Sequence, residues 1–244
     1  MLVSVIIPTW NEADRIGELV QYLRRCSAGH LKTEIIVADG FSSDQTVLHA
    51  KQSGAITVEA PRGRANQMNL GASAAQGEIL FFLHADTLPP ESFLRDLDTA
   101  TKEGYSAGCY RLSFDYDHWF LRFNSWFTRF HFTPFRFGDQ GLFVSREVFE
   151  RVGGFNQNLL VLEDQEMVKR ISGVAKFKIL DTAVVTSARK YVSNGIFRLQ
   201  FLFFLIYVLY KLGMAQQRLI RIYRRFIHDE RDGFPLAGEK RIRC

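Results

Sequence analysis

The chain has 244 residues, of which 47% are hydrophobic and 23% charged, a balance that excludes disordered and fibrous proteins. Its length suffices to bury a core without disulfides or a structural metal. The net charge of +5 is unevenly placed: residues 1–118 carry 10 Lys/Arg against 15 Asp/Glu, and residues 119–244 carry 21 against 11, so the second half suits an anionic partner.

Residues 4–8 form a continuous apolar run, which predicts a strand covered on both faces. Ile16, Leu19, Val20 and Leu23 recur at helical spacing and predict a helix over 12–26. A second strand follows at 34–39, a helix at 44–53, a third strand at 55–58, a small-residue helix at 67–75 and a fourth strand at 78–83. This alternation predicts an open parallel α/β sheet, in which ligands bind beyond the carboxyl ends of the strands. Asn11-Glu12 and Asp86 stand just after two of those strands, and Asp39 stands at the carboxyl end of another. Neither a G-x-G-x-x-G turn nor a Walker A loop follows the first strand, which argues against a dehydrogenase or a P-loop enzyme.

Beyond Asp86 the pattern changes. Pro89-Pro90 starts a helix through about residue 103, and 107–114 alternates as a strand. Nine of the nineteen residues 119–137 are aromatic, three are arginine (Arg122, Arg129, Arg136) and none is acidic. Trp119, Phe120, Phe123, Trp126, Phe127 and Phe130 are spaced for one helix face, which fits core packing, a homodimer interface or a lipid surface. A short strand at 143–144, helices at 146–152 and 163–171 and a strand at 177–180 complete the pattern. Ten consecutive apolar residues, 201–210, lie between Arg198 and Lys211, too few for the roughly 20 that a spanning helix needs. Downstream, Arg218, Arg221, Arg224 and Arg225 alternate with apolar residues as a basic amphipathic helix, a pattern suited to an anionic membrane surface. Cys26, Cys109 and Cys244 lack zinc spacing and read as reduced thiols, and no secretory signal precedes the first strand. The expected location is therefore cytoplasmic, with peripheral attachment to the inner face of the cytoplasmic membrane.

Five segments share an order and spacing. They are Val5-Ile6-Ile7-Pro8-Thr9-Trp10-Asn11-Glu12, Val37 through Thr46 around Asp39-Gly40, Asn69-Leu70-Gly71, Ala75 through Asp86, and Val152-Gly153-Gly154-Phe155 followed by Leu162-Glu163-Asp164. On these residues the chain resembles family 2 glycosyltransferases of the GT-A fold over about residues 3–190. Within them it looks like a small bacterial branch with Arg62-Gly63-Arg64-Ala65-Asn66-Gln67-Met68-Asn69 and Gly138-Asp139-Gln140-Gly141.

The resemblance implies an α/β GT-A domain over 1–190, with a Rossmann-like mixed sheet flanked by helices. Its nucleotide-binding half would be 1–86 and its acceptor half 87–190, followed by an apolar and basic helical extension over 191–244. It implies inverting, metal-dependent transfer of a sugar from a UDP- or GDP-linked donor to a hydroxyl acceptor, lipid or lipid-linked. Asp39 would bind the nucleobase, with Pro8, Thr9, Asn11 and Glu12 lining the nucleoside pocket. Arg62 and Arg64 would hold the diphosphate, with Arg189 in a basic-aromatic motif that closes over it, and Gln67 and Asn69 would face the nucleotide or sugar from a helix start. Asp86 would ligate Mn2+ or Mg2+; His84 stands where the family's Asp-x-Asp has its first acid and, with Ala85, would contact the nucleotide. Asp164 would act as base, with Glu163 orienting the acceptor or sharing that role, and Asp139 and Gln140 would border the acceptor. Partners would be the nucleotide sugar, the acceptor, an anionic membrane and a second copy of the chain, but not nucleic acid, because Phe-rich runs suit lipid better than phosphate backbone. Plain local roles stay open: a turn for Asp39, helix N-terminal acids for Glu12 and Glu163-Asp164, a solvated loop for the two arginines. So do two other classes, an inactive GT-A-like nucleotide- or membrane-binding module and a nucleotidyltransferase.

Overall fold

The structure, a computed structural model, describes residues 1–27, 31–130 and 138–228. It divides into two compact units, Met1–Ala188 and Arg189–Cys244.

In the first unit, eight strands form one sheet: β1 (Leu2–Thr9), β2 (Lys32–Asp39), β3 (Ile56–Glu59), β4 (Ile79–Phe82), β5 (Thr87–Leu88), β6 (Ala107–Phe114), β7 (Leu142–Ser145) and β8 (Phe177–Thr186). Their order is β3-β2-β1-β4-β7-β6-β8-β5. Seven α-helices accompany them among the described residues: α1 (Ala13–Ser27), α2 (Thr46–Gln52), α3 (Arg64–Ala74), α4 (Phe93–Lys102), α5 (Trp119–Trp126), α6 (Arg146–Arg151) and α7 (Glu163–Ser172).

Strands β1 to β4 are mutually parallel, as their alternation with helices requires. Along β1 the side chains alternate. Val3, Val5 and Ile7 enter one core with Ile16, Leu19, Val20 and Leu23 of α1 and Phe93, Leu94 and Leu97 of α4. Ile6 enters the opposite core, with Met68 and Ala72 of α3 and Met167, Val168 and Ile171 of α7. A strand buried on both faces has no polar face, which is why its sequence reads as an unbroken apolar run.

The parallel pattern stops at β7, which pairs antiparallel to β4, with Phe82 opposite Leu142. The start of β7 therefore lies beside the carboxyl end of β4, and this reversal carries Asp139 to the ligand-binding edge of the sheet. The strand expected at 177–180 in fact runs on to Thr186. Opposite it, the register passes from Cys109↔Ile179 to Arg111↔Ala183, so residues 180–182 bulge and the alternation that marks a strand is lost. β5 has only two residues, too short to show a period, and the helix expected from residue 67 begins at Arg64, its largely polar first turn giving no apolar period to read.

β6 depends on Gly108, which lies between Phe143 of β7 and Lys178 of β8. A Cβ there would fall 2.2 Å from the Lys178 carbonyl oxygen and 2.5 Å from the Phe143 ring. Gly108→Ala is expected to cost about 3 kcal/mol, measured by urea denaturation, since backbone on one side and core on the other leave nowhere to move. Stability equal to the parent would contradict this register.

The second unit contains α8 (Arg189–Asn194), α9 (Ile196–Lys211) and α10 (Gln216–Phe226). Asn194 at the end of α8 joins the chain just after α10: its amide donates to the His228 carbonyl (2.8 Å) and accepts from the His228 N–H (2.6 Å). No helix among the described residues is long and apolar enough to cross a membrane.

Candidate functional site

The carboxyl ends of β1 and β2 meet at Thr9 and Asp39, which are paired in register and both buried. The Asp39 carboxylate accepts from Thr9 Oγ1 (3.0 Å), Ser42 Oγ (2.6 Å) and the Ser42 N–H (2.7 Å). A carboxylate has about four acceptor positions, so three are used and the group is held in a fixed orientation with one direction left. Asn11 closes the same corner. Its N–H donates to Ser42 Oγ (2.8 Å), and its side-chain oxygen accepts from the Ser43 N–H (3.0 Å). Ser42 thus ties both loops together, a role its sequence position did not signal. Trp10 is a second such residue: the Arg62 guanidinium stacks 3.5 Å from its ring centroid, so the aromatic plane sets where that exposed charge sits.

A second cluster forms where β4 ends and β7 and α7 begin. His84 Nδ1 lies 2.7 Å from Asp139 Oδ1, and one ligating atom each from His84, Asp86 and Asp139 falls within 4.8 Å of the others. Two carboxylates and an imidazole can hold a divalent cation: the oxygens suit Mg2+ or Mn2+, and a nitrogen ligand shifts preference toward Mn2+. His84 is buried, and its Nε2 has no hydrogen-bond partner among the described residues. Burial, the largest single influence, and Arg64 push its pKa down, but the hydrogen bond and charge of Asp139 together with the charge of Asp164 outweigh them, so the net shift is upward.

Glu163 and Asp164 form the first turn of α7, and Leu162 before them is left-handed (φ 65°). Asn11 (φ 52°) and Phe41 (φ 61°) are the other non-glycine residues with positive φ among the described residues. All three adjoin groups of these two clusters, and such backbone strain is stored preferentially at functional sites. Glu163 is buried and faces Arg64, with Nη1 3.7 Å from its carboxylate, while the Arg64 side chain is 44% exposed. Desolvation first, then the charge of Asp164, pushes Glu163 up to about 7 despite Arg64. Asp164 is only partly buried, and its pKa is also raised, chiefly by desolvation, against the opposing charges of His84 and Arg64.

The upward shift of Glu163 sets a sign. The folded protein holds this proton more tightly than the unfolded chain does, so stability falls as pH rises from 4.5 towards 7. Glu163 therefore contributes less to stability at pH 8 than at pH 4. Glu163→Gln, which cannot ionise, is expected to reduce that slope in denaturation curves taken across this range, with His84 and Asp164 supplying the remainder. A variant that keeps the parental slope would show that Glu163 is not its source.

Other residues expected at the site are placed differently. The Gln67 amide nitrogen donates to the carbonyls of Thr9 (2.6 Å) and Ala38 (2.9 Å), pinning two strand ends. The Asn69 side chain exchanges two hydrogen bonds with the backbone of Phe155, both at 2.8 Å, and so fastens α3 to the turn after α6. That turn needs Gly154: its φ is +68°, and a Cβ would lie 2.7 Å from Asn69 Oδ1. Gln140 is buried, with its amide on the Tyr110 carbonyl (3.0 Å). Glu12 is buried as well, its N–H on Thr46 Oγ1 (2.8 Å) and its carbonyl accepting from the N–H groups of Arg15 and Ile16 in α1. Pro8 lies within β1 and Ala85 is buried beside the cluster, so both can offer only backbone or apolar surface. Arg189 opens the second unit. Of the arginines in the aromatic stretch, Arg122 pairs with Asp117 (3.0 Å) and Arg129 donates to the Trp126 carbonyl (2.9 Å). Arg136 lies outside the described residues, as does Cys244.

Comparison with known proteins gives a concordant result. The model of glycosyl transferase family 2 matches residues 4–155. Glucosyl-3-phosphoglycerate synthase of Mycolicibacterium smegmatis is 31% identical over 98 residues, 36% of this chain and 32% of that one. An undecaprenyl-phosphate 4-deoxy-4-formamido-L-arabinose transferase of Proteus mirabilis is 29% identical over 130 residues, 49% of this chain and 40% of that one. The chain thus matches between about a third and two fifths of the length of these relatives. A mannosyltransferase of Pyrobaculum calidifontis, solved with GDP-Man and Mn2+, superimposes with a TM-score of 0.67 at 22% identity, covering 91% of this chain and 69% of that one. The shared architecture is the GT-A fold: a mixed sheet flanked by helices.

Proposed function

Because the chain belongs to glycosyl transferase family 2, we propose that it moves a sugar from a nucleoside-diphosphate donor to a hydroxyl acceptor with inversion at the anomeric carbon. The observation that carries this reading is the convergence, at one edge of the sheet, of an oriented Asp39, the cation Arg64, the His84–Asp86–Asp139 group and the acids Glu163 and Asp164.

Asp39, held by Thr9 and Ser42, would accept from the edge of the base, and Arg62 on Trp10 and Arg64 would meet the diphosphate. Asp86, with Asp139 and His84 beside it, would hold a divalent cation, which when bound neutralises charge on the departing diphosphate. The acceptor oxygen attacks the anomeric carbon as the bond to the diphosphate oxygen breaks, and the diphosphate leaves with the electron pair. Asp164 takes the hydroxyl proton: it is the more accessible of the two acids, and its raised pKa makes it a stronger base than an ordinary aspartate. Glu163 is too buried to reach an acceptor and instead positions Arg64. Relatives whose names include a polyprenyl phosphate favour a lipid-linked acceptor, met at the inner face of the cytoplasmic membrane.

The test is incubation with UDP- and GDP-linked sugars, Mn2+ and a membrane lipid extract, followed by NMR of the product. Nucleoside diphosphate released with an inverted linkage is the expected result. A retained linkage would remove the single displacement, and release of pyrophosphate would instead mark a nucleotidyltransferase.

A further inference from the structure

Helix α9 is apolar on every side: among its sixteen residues only Arg198, Gln200 and Lys211 are polar. A helix of that composition is normally covered all round. Here Leu199, Leu202 and Ile206 are buried, whereas Phe197, Phe201 and Phe204 on the opposite face are 55%, 63% and 61% exposed. Their spacing of four and three residues makes one stripe, and Lys211 and the 77%-exposed Leu212 lie beyond its end.

The apolar side of α10 is used differently from what its sequence pattern suggested. Leu219 is fully buried, and Tyr223 stacks on Phe203 of α9 and accepts from Lys190 (2.9 Å). What α10 leaves at the surface is charge: Arg218, Arg221, Arg224 and Arg225 are all exposed, as are Arg198 and Lys211. Residues 189–228 contain no Asp or Glu. A second copy of the chain would bring the same excess of positive charge to the contact, whereas an anionic bilayer complements it.

We propose that the Phe197–Phe201–Phe204 stripe of α9 inserts into the headgroup region of an anionic membrane, with α9 lying in the plane of the surface and the exposed arginines of α10 among the lipid phosphates. α9 is about 24 Å long, shorter than the hydrocarbon core of roughly 30 Å, which fits an in-plane helix and not a spanning one. This surface is independent of the transfer reaction proposed above, and its test needs no donor.

The full-length chain is sedimented with phosphatidylcholine vesicles and with vesicles containing one-quarter phosphatidylglycerol. Binding is expected only to the second, weakening about tenfold in 0.5 M salt. Phe197→Ser, Phe201→Ser and Phe204→Ser together are expected to weaken it at least ~30-fold. Arg221→Glu with Arg224→Glu provides a second variant that leaves the stripe intact and should also lose binding. Equal binding to both vesicle types, or unchanged binding of the triple Phe variant, overturns the proposal. So does absence of vesicle binding with a dimer in light scattering that the triple variant dissociates, which would assign the stripe to a second copy.

Discussion

Replacing Asp164 by Asn is expected to lower turnover by about 10³-fold while nucleotide affinity stays within a few-fold of the parent. The amide keeps the shape and loses the proton acceptor. Burial alone would favour Glu163 for perturbed chemistry, since its carboxyl is pushed up to about 7. Access argues otherwise: Glu163 is enclosed and faces Arg64, whereas Asp164 is partly open and senses His84, Arg64 and Asp139 together. Because Glu163 and Asp164 interact, their protons leave as a coupled pair, and the acidic limb of the rate profile should lie above the ordinary carboxylate range. Steady-state kinetics separates the possibilities. Loss confined to kcat supports a base, and a rise confined to KM would make Asp164 a binding residue. Full turnover in the variant would remove it from the reaction.

Asp86→Ala is expected to weaken Mn2+ affinity at least ~100-fold and to lower transfer by about 10²–10³-fold. His84 and Asp139 remain in the variant, so some cation binding should persist, but without the carboxylate at the end of β4 the group loses one of its two acidic ligands. Metal titration followed by electron paramagnetic resonance reads the affinity directly, apart from activity. Unchanged Mn2+ affinity would place the cation elsewhere.

The parts of this site legible in the sequence are those set by local rules. Asp39 and Asp86 stand just past apolar runs, and parallel strands put such positions at one edge. Glu163-Asp164 could be placed because acids in a first helical turn announce the helix start. Asp139 is different. It reaches His84 only because β7 reverses direction beside β4, a pairing that no periodicity within either strand reveals. The amides mislead for a related reason. Gln67, Asn69 and Gln140 stand in the motifs, yet each bonds to backbone 29 to 86 residues away, so they hold the frame. A polar residue near a ligand and one bracing the loop beneath it look alike in sequence. The bulge in β8 likewise hides a strand by placing Asp181 and Thr182 where an alternating pattern would be sought.

The most direct measurement is calorimetric titration of the chain with UDP and with GDP, each with and without Mn2+, repeated on Asp86→Ala. The expected result is tight binding of one nucleotide that requires Mn2+ in the parent and is lost in the variant. Binding of equal strength with and without Mn2+ in both proteins, or no nucleotide binding in either, would contradict a metal-assisted nucleotide-sugar site at the carboxyl edge of this sheet.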